Sequence, residues 1–288
     1  MKKIIKENGY KKVHVNMLSM ANILPIIAAK SEKVERIILH SHNTSTPHGT
    51  IRKILNIINR EYAIKNATDL VACSEYAGKW MFGENRKFTV IKNAIDSTKY
   101  KFNNEKREEL RRKLDISSNY VIGHIGRFAE QKNHKFLIEI FNEVAKKENN
   151  TKLLLIGEGE LKEEIRKDVQ KLNLTNKVIF LDPVKNVNDY YQAMDIFVLP
   201  SLFEGLPVVG VEAQTSGLKC IFSEKITQEL KIIDRVSFIE IDNPKIWADA
   251  IINELKDYDR NLKNQEIEKS GYDIKSESLK LQEFYLKK

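Results

Sequence analysis

Cysteine is nearly absent from the chain: Cys73 and Cys220 are the only two in 288 residues, each inside an apolar run, VACS and LKCIFS. That rules out a disulfide framework and reads as two reduced core thiols. No uninterrupted apolar run is long enough to cross a bilayer as a helix. The lysine-rich start is not followed by a signal-peptide core. These absences lead to the expectation of a cytoplasmic protein, or one held peripherally at the inner face of a membrane. No Cys/His cluster has metal-ligand spacing, and no nucleic-acid motif accompanies the basic residues. Neither a structural metal nor a nucleic-acid partner is therefore expected.

What is present is enough chain for two modest domains, with 42% apolar residues to build their cores. Charge is unevenly placed. Residues 1–67 hold twelve Lys/Arg against four Asp/Glu, a surplus that equals the net +8 of the whole chain. A basic first third of this kind suits an anionic lipid surface or a phosphorylated acceptor. For most of these lysines a solvated surface is explanation enough.

Short buried strands alternate with helices along the chain. Strands are expected at Val13–Asn16, Glu35–His40, Asp69–Ser74 and Phe88–Ile91. An amphipathic helix over Ile51–Ile64 carries apolar residues at Ile51, Ile54, Leu55, Ile58 and Tyr62. After a charged helical run at Glu105–Lys113 the rhythm sharpens, with strands at Tyr120–Ile125, Lys152–Ile156 and Val178–Leu181. Repeated βα units with short loops predict a parallel, doubly wound α/β sheet that takes its ligand at the strands' carboxyl ends.

One stretch organises the rest: DIFVLPSLFEGLPVVGVEAQTSG, Asp195 to Gly217. DIFVLP reads as a buried strand, SLFEG as a tight loop, and Leu206-Pro207 as the opening of a helix, with proline at its first position. A helix N-terminus at the carboxyl edge of a sheet attracts a phosphate. Glu204 and Glu212 would repel that anion unless they faced hydroxyl donors such as those of a sugar. A nucleotide-sugar supplies both chemistries. Spacing alone is equally consistent with two incidental surface glutamates.

The whole string, two glutamates seven residues apart in PSLFEGLPVVGVEAQTSG, closely resembles the signature of the retaining GT-B glycosyltransferases of family 4. IKNAIDSTKY resembles the stretch that ends that family's first domain, with Ala94 in place of its usual glycine. The resemblance implies two Rossmann-like domains facing a cleft: a partial acceptor-side domain at 1–96, a donor-binding domain at 97–270, and a final helix at 271–288 crossing back to the first. It also implies that the first domain lacks its opening βα units.

Family roles carry over to matching positions. Arg127 and Lys132 in GRFAEQKN, with Gly126, would meet the diphosphate, as would backbone N–H groups around Gly205 and Leu206. Gly157 and Gly159 would let the backbone approach the ligand. Phe180 and Leu181 match the region that reads the base, although Asp182-Pro183 stands where the family often has glycine. Glu212 would bind the ribose hydroxyls and Glu204 the transferred sugar. His40 or His42 would lie near the reaction centre; His14, His48, His124 and His134 have no stronger claim than a loop histidine. The sequence reads as lacking the Asp-x-Asp motif of metal-dependent transferases, and Arg127, Lys132 and the helix N-terminus can do a cation's work. The reaction is thus expected to be metal-independent, without a cofactor beyond the donor itself.

The implied activity is transfer of a hexose-type sugar from a nucleotide-sugar, taken as a UDP-sugar, to a glycan or lipid-linked acceptor in surface polysaccharide synthesis. Two alternatives follow from the same residues. One is a truncated, catalytically weak nucleotide-sugar-binding or scaffold protein; the other is a GT-B sugar-nucleotide epimerase.

Overall fold

The structure, a computed structural model, describes residues 1–44, 49–255, 259–260 and 265–287. The chain divides into two compact units. The first comprises residues 1–93, the short segment Glu204–Leu206 and the residues from Leu279 on; the second comprises 94–203 and 207–278.

In the first unit, helix α1 (Lys2–Asn8) precedes β1 (Lys12–Met17), α2 (Leu24–Ser31), β2 (Arg36–Ser41), α3 (Thr50–Asn66), β3 (Asp69–Ala72), α4 (Glu75–Phe82) and β4 (Thr89–Val90). The strands form one parallel sheet in the order β1-β2-β3-β4. Lys12 of β1 pairs with Arg36 of β2, and Met17 with Ser41, so β1 and β2 end together at the carboxyl edge. β2 is buried along nearly its whole length, which is why RIILHS reads as a continuous apolar run rather than an alternating one. Ile37 and Leu39 join a core with Met20, Ile26 and Phe82. On the other face, Ile38, Val71 and Ile91 receive Leu281, Phe284 and Tyr285.

The second unit holds α5 (Ser97–Tyr100), α6 (Asn104–Lys113), β5 (Tyr120–Ile125), α7 (His134–Lys147), β6 (Thr151–Ile156), α8 (Lys162–Lys171), β7 (Val178–Leu181) and α9 (Val187–Ala193). These are followed by β8 (Ile196–Leu199), α10 (Val208–Thr215), β9 (Lys219–Ser223), β10 (Val236–Ile239), α11 (Pro244–Glu254) and α12 (Gln265–Lys269). A last helix, α13, spans Ile274–Leu286. The six strands are all parallel, in the order β10-β9-β8-β5-β6-β7. Sequence order reverses between β5 and β8, and in open α/β sheets such a switch point marks the ligand crevice at the carboxyl ends.

Helix ends follow ordinary capping chemistry. The Asn103 side chain accepts from Lys106 N at α6, and Asn243 accepts from Lys245 N at α11, with Pro244 next to the cap. Three expectations need correction. Helix α4 was not foreseen, and β4 is only two residues long. Pro207 is the N-cap of α10 rather than its first helical residue, which puts Glu212 just past the first turn of that helix.

Helix α3 forms where its spacing predicts, but it docks through its polar side. Asn56 Oδ1 accepts from Met20 N at 2.7 Å, and Asn59 Nδ2 donates to Met20 O at 3.0 Å. Ala63 is its one buried residue, while Ile51 and Ile58 are 74% and 67% exposed.

Candidate functional site

In the second unit, the loops that leave β5, β6 and β7 are zipped by backbone hydrogen bonds. Gly126 N donates to Ile156 O at 3.0 Å, Phe128 N to Glu158 O at 2.8 Å, and Gly157 N to Leu181 O at 3.0 Å. This close packing depends on glycine. A Cβ on Gly157 would lie 2.0 Å from Gly126 O, and one on Gly159 would lie 2.3 Å from Phe128 O. Both have φ of +154°, where side-chain-bearing residues are strained.

Above these loops opens a cavity of about 560 Å³, lined among others by Gly126, Arg127, Gly157, Gly159, Pro183 and Val187. Arg127 is exposed and pairs with Glu160 at 2.9 Å. Lys132 follows in a 3₁₀ turn, Glu130–Lys132, ahead of α7; its stem lies 3.2–3.3 Å from where a Gly126 Cβ would sit. Gly126 thus leaves room for the lysine to pass. Behind the cavity, Lys162 bridges two loops, donating to Gly157 O at 3.0 Å and to Asp182 at 2.5 Å.

Phe180 and Leu181 end β7. The Phe180 ring lies under the Arg166 guanidinium, 4.4 Å from it, and Leu181 contributes its carbonyl to the zipper. Pro183 lines the cavity with Val184 and Val187, two residues not singled out from sequence. His124 and His134 meet edge to face, with ring centroids 4.7 Å apart, and burial lowers both rings' pKa, His124 to about 4. Both rings are neutral at physiological pH.

Glu212 on α10 carries two partners that sequence reasoning missed. Tyr100 Oη donates to Oε1 and Tyr191 Oη to Oε2, each at 2.7 Å. Burial first, then Glu212 itself, raises both phenol pKa values, so both remain donors.

The first unit assembles the remaining candidates at the carboxyl edge of β2. The segment Glu204–Leu206 groups here and is pinned by its carbonyls: Thr44 Oγ1 donates to Glu204 O at 2.8 Å and Ser74 Oγ to Gly205 O at 2.9 Å. A Cβ on Gly205 would stand 2.3 Å from His42 O, so only glycine permits this approach. Glu204 and Leu206 are both buried. His42 is half-buried, and its Nε2 donates to Asn16 Oδ1 at 2.9 Å. His40 is enclosed in a chain from Tyr285 Oη through His14: His14 Nδ1 is 2.5 Å from the phenol, and His14 Nε2 is 3.0 Å from His40 Nδ1. Burial, with His42 and His14 beside it, lowers the His40 pKa to about 3.

The structure therefore gathers Gly126, Arg127, Lys132, Gly157 and Gly159 at one sheet edge, and separately gathers Glu204, Gly205 and Leu206 beside His42. His48 lies outside the described residues. One reading of the sequence is corrected: an Asp-x-Asp string does occur, Asp257-Tyr258-Asp259, although its first two residues lie outside those described. The expectation of a metal-independent reaction therefore rests on Arg127, Lys132 and the helix N-terminus alone, and not on absence of the motif.

The glycosyltransferase EpsF of Bacillus subtilis is 35% identical over 257 residues, a match spanning 86% of this chain and 67% of EpsF. A UDP-Gal:alpha-D-GlcNAc-diphosphoundecaprenol alpha-1,3-galactosyltransferase of Escherichia coli is 29% identical over 234 residues, 77% of this chain and 59% of that protein. The fold matches Anabaena HepE in complex with UDP-glucose at a TM-score of 0.80 and 18% identity, covering 99% of this chain and 80% of that one. Residues 106–272 match the family model described as glycosyl transferases group 1. With that match over more than half its length, and with EpsF as a relative, the chain belongs to the glycosyl transferases group 1 family, and its two parallel α/β sheets are those of the GT-B class.

Proposed function

We propose that the protein is a retaining, metal-independent glycosyltransferase that moves a hexose from a UDP-sugar to a glycan or lipid-linked acceptor in surface polysaccharide synthesis. The observation that carries this reading is the glycine-zipped cavity lined by Arg127, with Lys132 passing beside Gly126, in the unit that also bears Glu212 on α10. Structures similar in fold were solved with UDP and with UDP-glucose. The E. coli relative is named for a UDP-galactose donor and a diphosphoundecaprenol-linked acceptor. A Staphylococcus aureus relative, matched over 99% of this chain, is named for capsular polysaccharide biosynthesis.

In this reading Arg127 and Lys132 neutralise the departing diphosphate, the first as a planar fork and the second as a mobile point charge. Glu212 takes the ribose hydroxyls, Glu204 the transferred sugar, and His42, half-buried beside Gly205, the neighbourhood of the reacting bond. Arg127→Ala and Lys132→Ala should each weaken UDP binding by roughly 1.5–3 kcal/mol, the range for hydrogen bonds to charged groups. Calorimetry checks this. Wild-type affinity in both variants would remove the two cations from the diphosphate site.

We place the protein in the cytoplasm, peripherally at the inner face of a membrane, through α3 of the first unit. That helix turns Ile51, Ile54, Leu55, Ile58 and Tyr62 outward, in the part of the chain that holds the basic surplus. An apolar face with flanking cations is the pattern of an interfacial helix. The protein should co-sediment with anionic vesicles and detach as salt rises. Ile54→Glu with Ile58→Glu should abolish the association. Equal binding to neutral and anionic vesicles would refute the assignment.

A further inference from the structure

We infer that Tyr100 and Tyr191 are positioning residues that hold the Glu212 carboxylate ready for a vicinal diol, and so make the site select ribonucleotide over deoxyribonucleotide donors. This rests on the reading of Glu212 as the ribose ligand and goes beyond it by naming what sets its selectivity.

The argument starts from the lone pairs. An ionised carboxylate accepts at two oxygens, with about two positions on each. Tyr100 occupies one position on Oε1 and Tyr191 one on Oε2, both at 2.7 Å. One position is left on each of the two neighbouring oxygens. Two adjacent acceptors are the complement of two adjacent hydroxyls, each donating one hydrogen bond. A ribose 2′,3′-diol has that arrangement, whereas a 2′-deoxyribose leaves one acceptor unmatched. An unmatched polar partner in a desolvated site is what gives hydroxyl-reading sites their discrimination.

Both tyrosines are fixed by their surroundings. Tyr191 is fully buried on α9, and its hydroxyl also reaches Val209 O at 3.2 Å. Its ring stands edge-on to Tyr100, with centroids 5.9 Å apart. Tyr100 ends α5, a single turn tied down at its start: Ser97 Oγ donates to Asp273 Oδ2 at 2.5 Å, and Ile95 pairs with Asp273. Ile95 N donates to Tyr272 O and Ile274 N to Ile95 O, both at 2.9 Å. The Glu212 side chain cannot rotate without breaking one of the two phenol hydrogen bonds. Its orientation therefore precedes the ligand, which lowers the ordering cost of binding.

Tyr100→Phe is the cleaner test, because Tyr100 is half-buried and the change removes one oxygen atom. UDP and 2′-deoxy-UDP are titrated by calorimetry into wild type, Tyr100→Phe and Glu212→Gln, with melting temperatures measured alongside. Wild type should prefer UDP. Tyr100→Phe should lose about tenfold in UDP affinity, one hydrogen bond's worth, and keep its affinity for 2′-deoxy-UDP within about twofold of wild type. Loss of stability alone would weaken both ligands equally, so the ratio of the two affinities isolates positioning. An unchanged ratio in Tyr100→Phe, with the preference abolished in Glu212→Gln, would overturn the inference and leave the ribose reading intact. A wild type that binds both nucleotides equally, or neither, would overturn the ribose reading and the inference with it.

Discussion

Alanine at Gly157 should remove nucleoside-diphosphate binding from the second unit. The new Cβ would stand 2.0 Å from Gly126 O and 3.0 Å from Gly126 C, both backbone atoms with no flexible side chain to yield. The residue would also hold φ at +154°, a region essentially confined to glycine that costs on the order of 1–3 kcal/mol. To relieve the clash the loop after β6 must part from the loop after β5, which breaks the Gly126 N to Ile156 O hydrogen bond that zips them. Arg127 sits on the displaced loop, so its guanidinium moves with it. UDP affinity should fall on the order of a hundredfold or more, since about 3 kcal/mol of strain and lost contact corresponds to that factor. The melting temperature should fall by roughly 2–4 °C for each kcal/mol retained as strain. Calorimetry with UDP and a thermal melt check both effects. Wild-type affinity in Gly157→Ala would show that the ligand does not use this loop edge.

The same loops show why much of the second sheet was legible in advance. Its strands are buried on both faces, so LLLI and IFVL appear as short apolar blocks, and Gly126 and Gly157 stand immediately after β5 and β6. The first unit was harder. Helix α4, EYAGKWMF, is only eight residues and carries Gly78 in its middle, which lowers its helical signal. The glycine is there because the Phe88 ring packs where its Cβ would be, at 2.2 Å, a contact that spacing cannot reveal. Its cap, Ser74, also reads as the end of the preceding strand, although its hydroxyl accepts from Ala77 N.

At the candidate site, what sequence exposes is the residues that a local pattern marks. Glu204, Glu212, Arg127 and Lys132 lie on βα loops or the first turns after them, and each stands in a recognisable string. Tyr100 and Tyr191 do not. Tyr100 is 112 positions from Glu212, and Tyr191 is one of two adjacent tyrosines in DYYQAM. Nothing local says which of the pair turns inward. His14 and Tyr285 are 271 positions apart and meet only because β1 and α13 pack together in the first unit. The apolar stripe of α3 was visible, but whether it faced inward was decided by Asn56 and Asn59 capturing the backbone at Met20 and Ala21.

Glutamine at Glu204 should leave UDP binding within about twofold of wild type and lower sugar transfer by roughly 10²–10³, the loss typical of removing one preorganised electrostatic contact. The reasoning is geometric. Glu204 is buried, yet its segment is held through main-chain oxygens, by Thr44 on Glu204 O and by Ser74 on Gly205 O. Glutamine keeps the size of the side chain and leaves those two hydrogen bonds intact, so the segment keeps its course past His42. The carboxylate charge is removed. If that carboxylate faces the transferred sugar, its loss is felt where charge develops at the reacting carbon and not in the resting complex with UDP. A contact used only in the transition state lowers kcat and kcat/KM together. Calorimetry with UDP, a thermal melt and a UDP-release assay with a UDP-sugar donor separate these outcomes. Unaltered transfer in Glu204→Gln would remove Glu204 from the reaction. An equal fall in UDP affinity and transfer would make it a nucleotide ligand instead, leaving His42 as the candidate nearest the reacting bond.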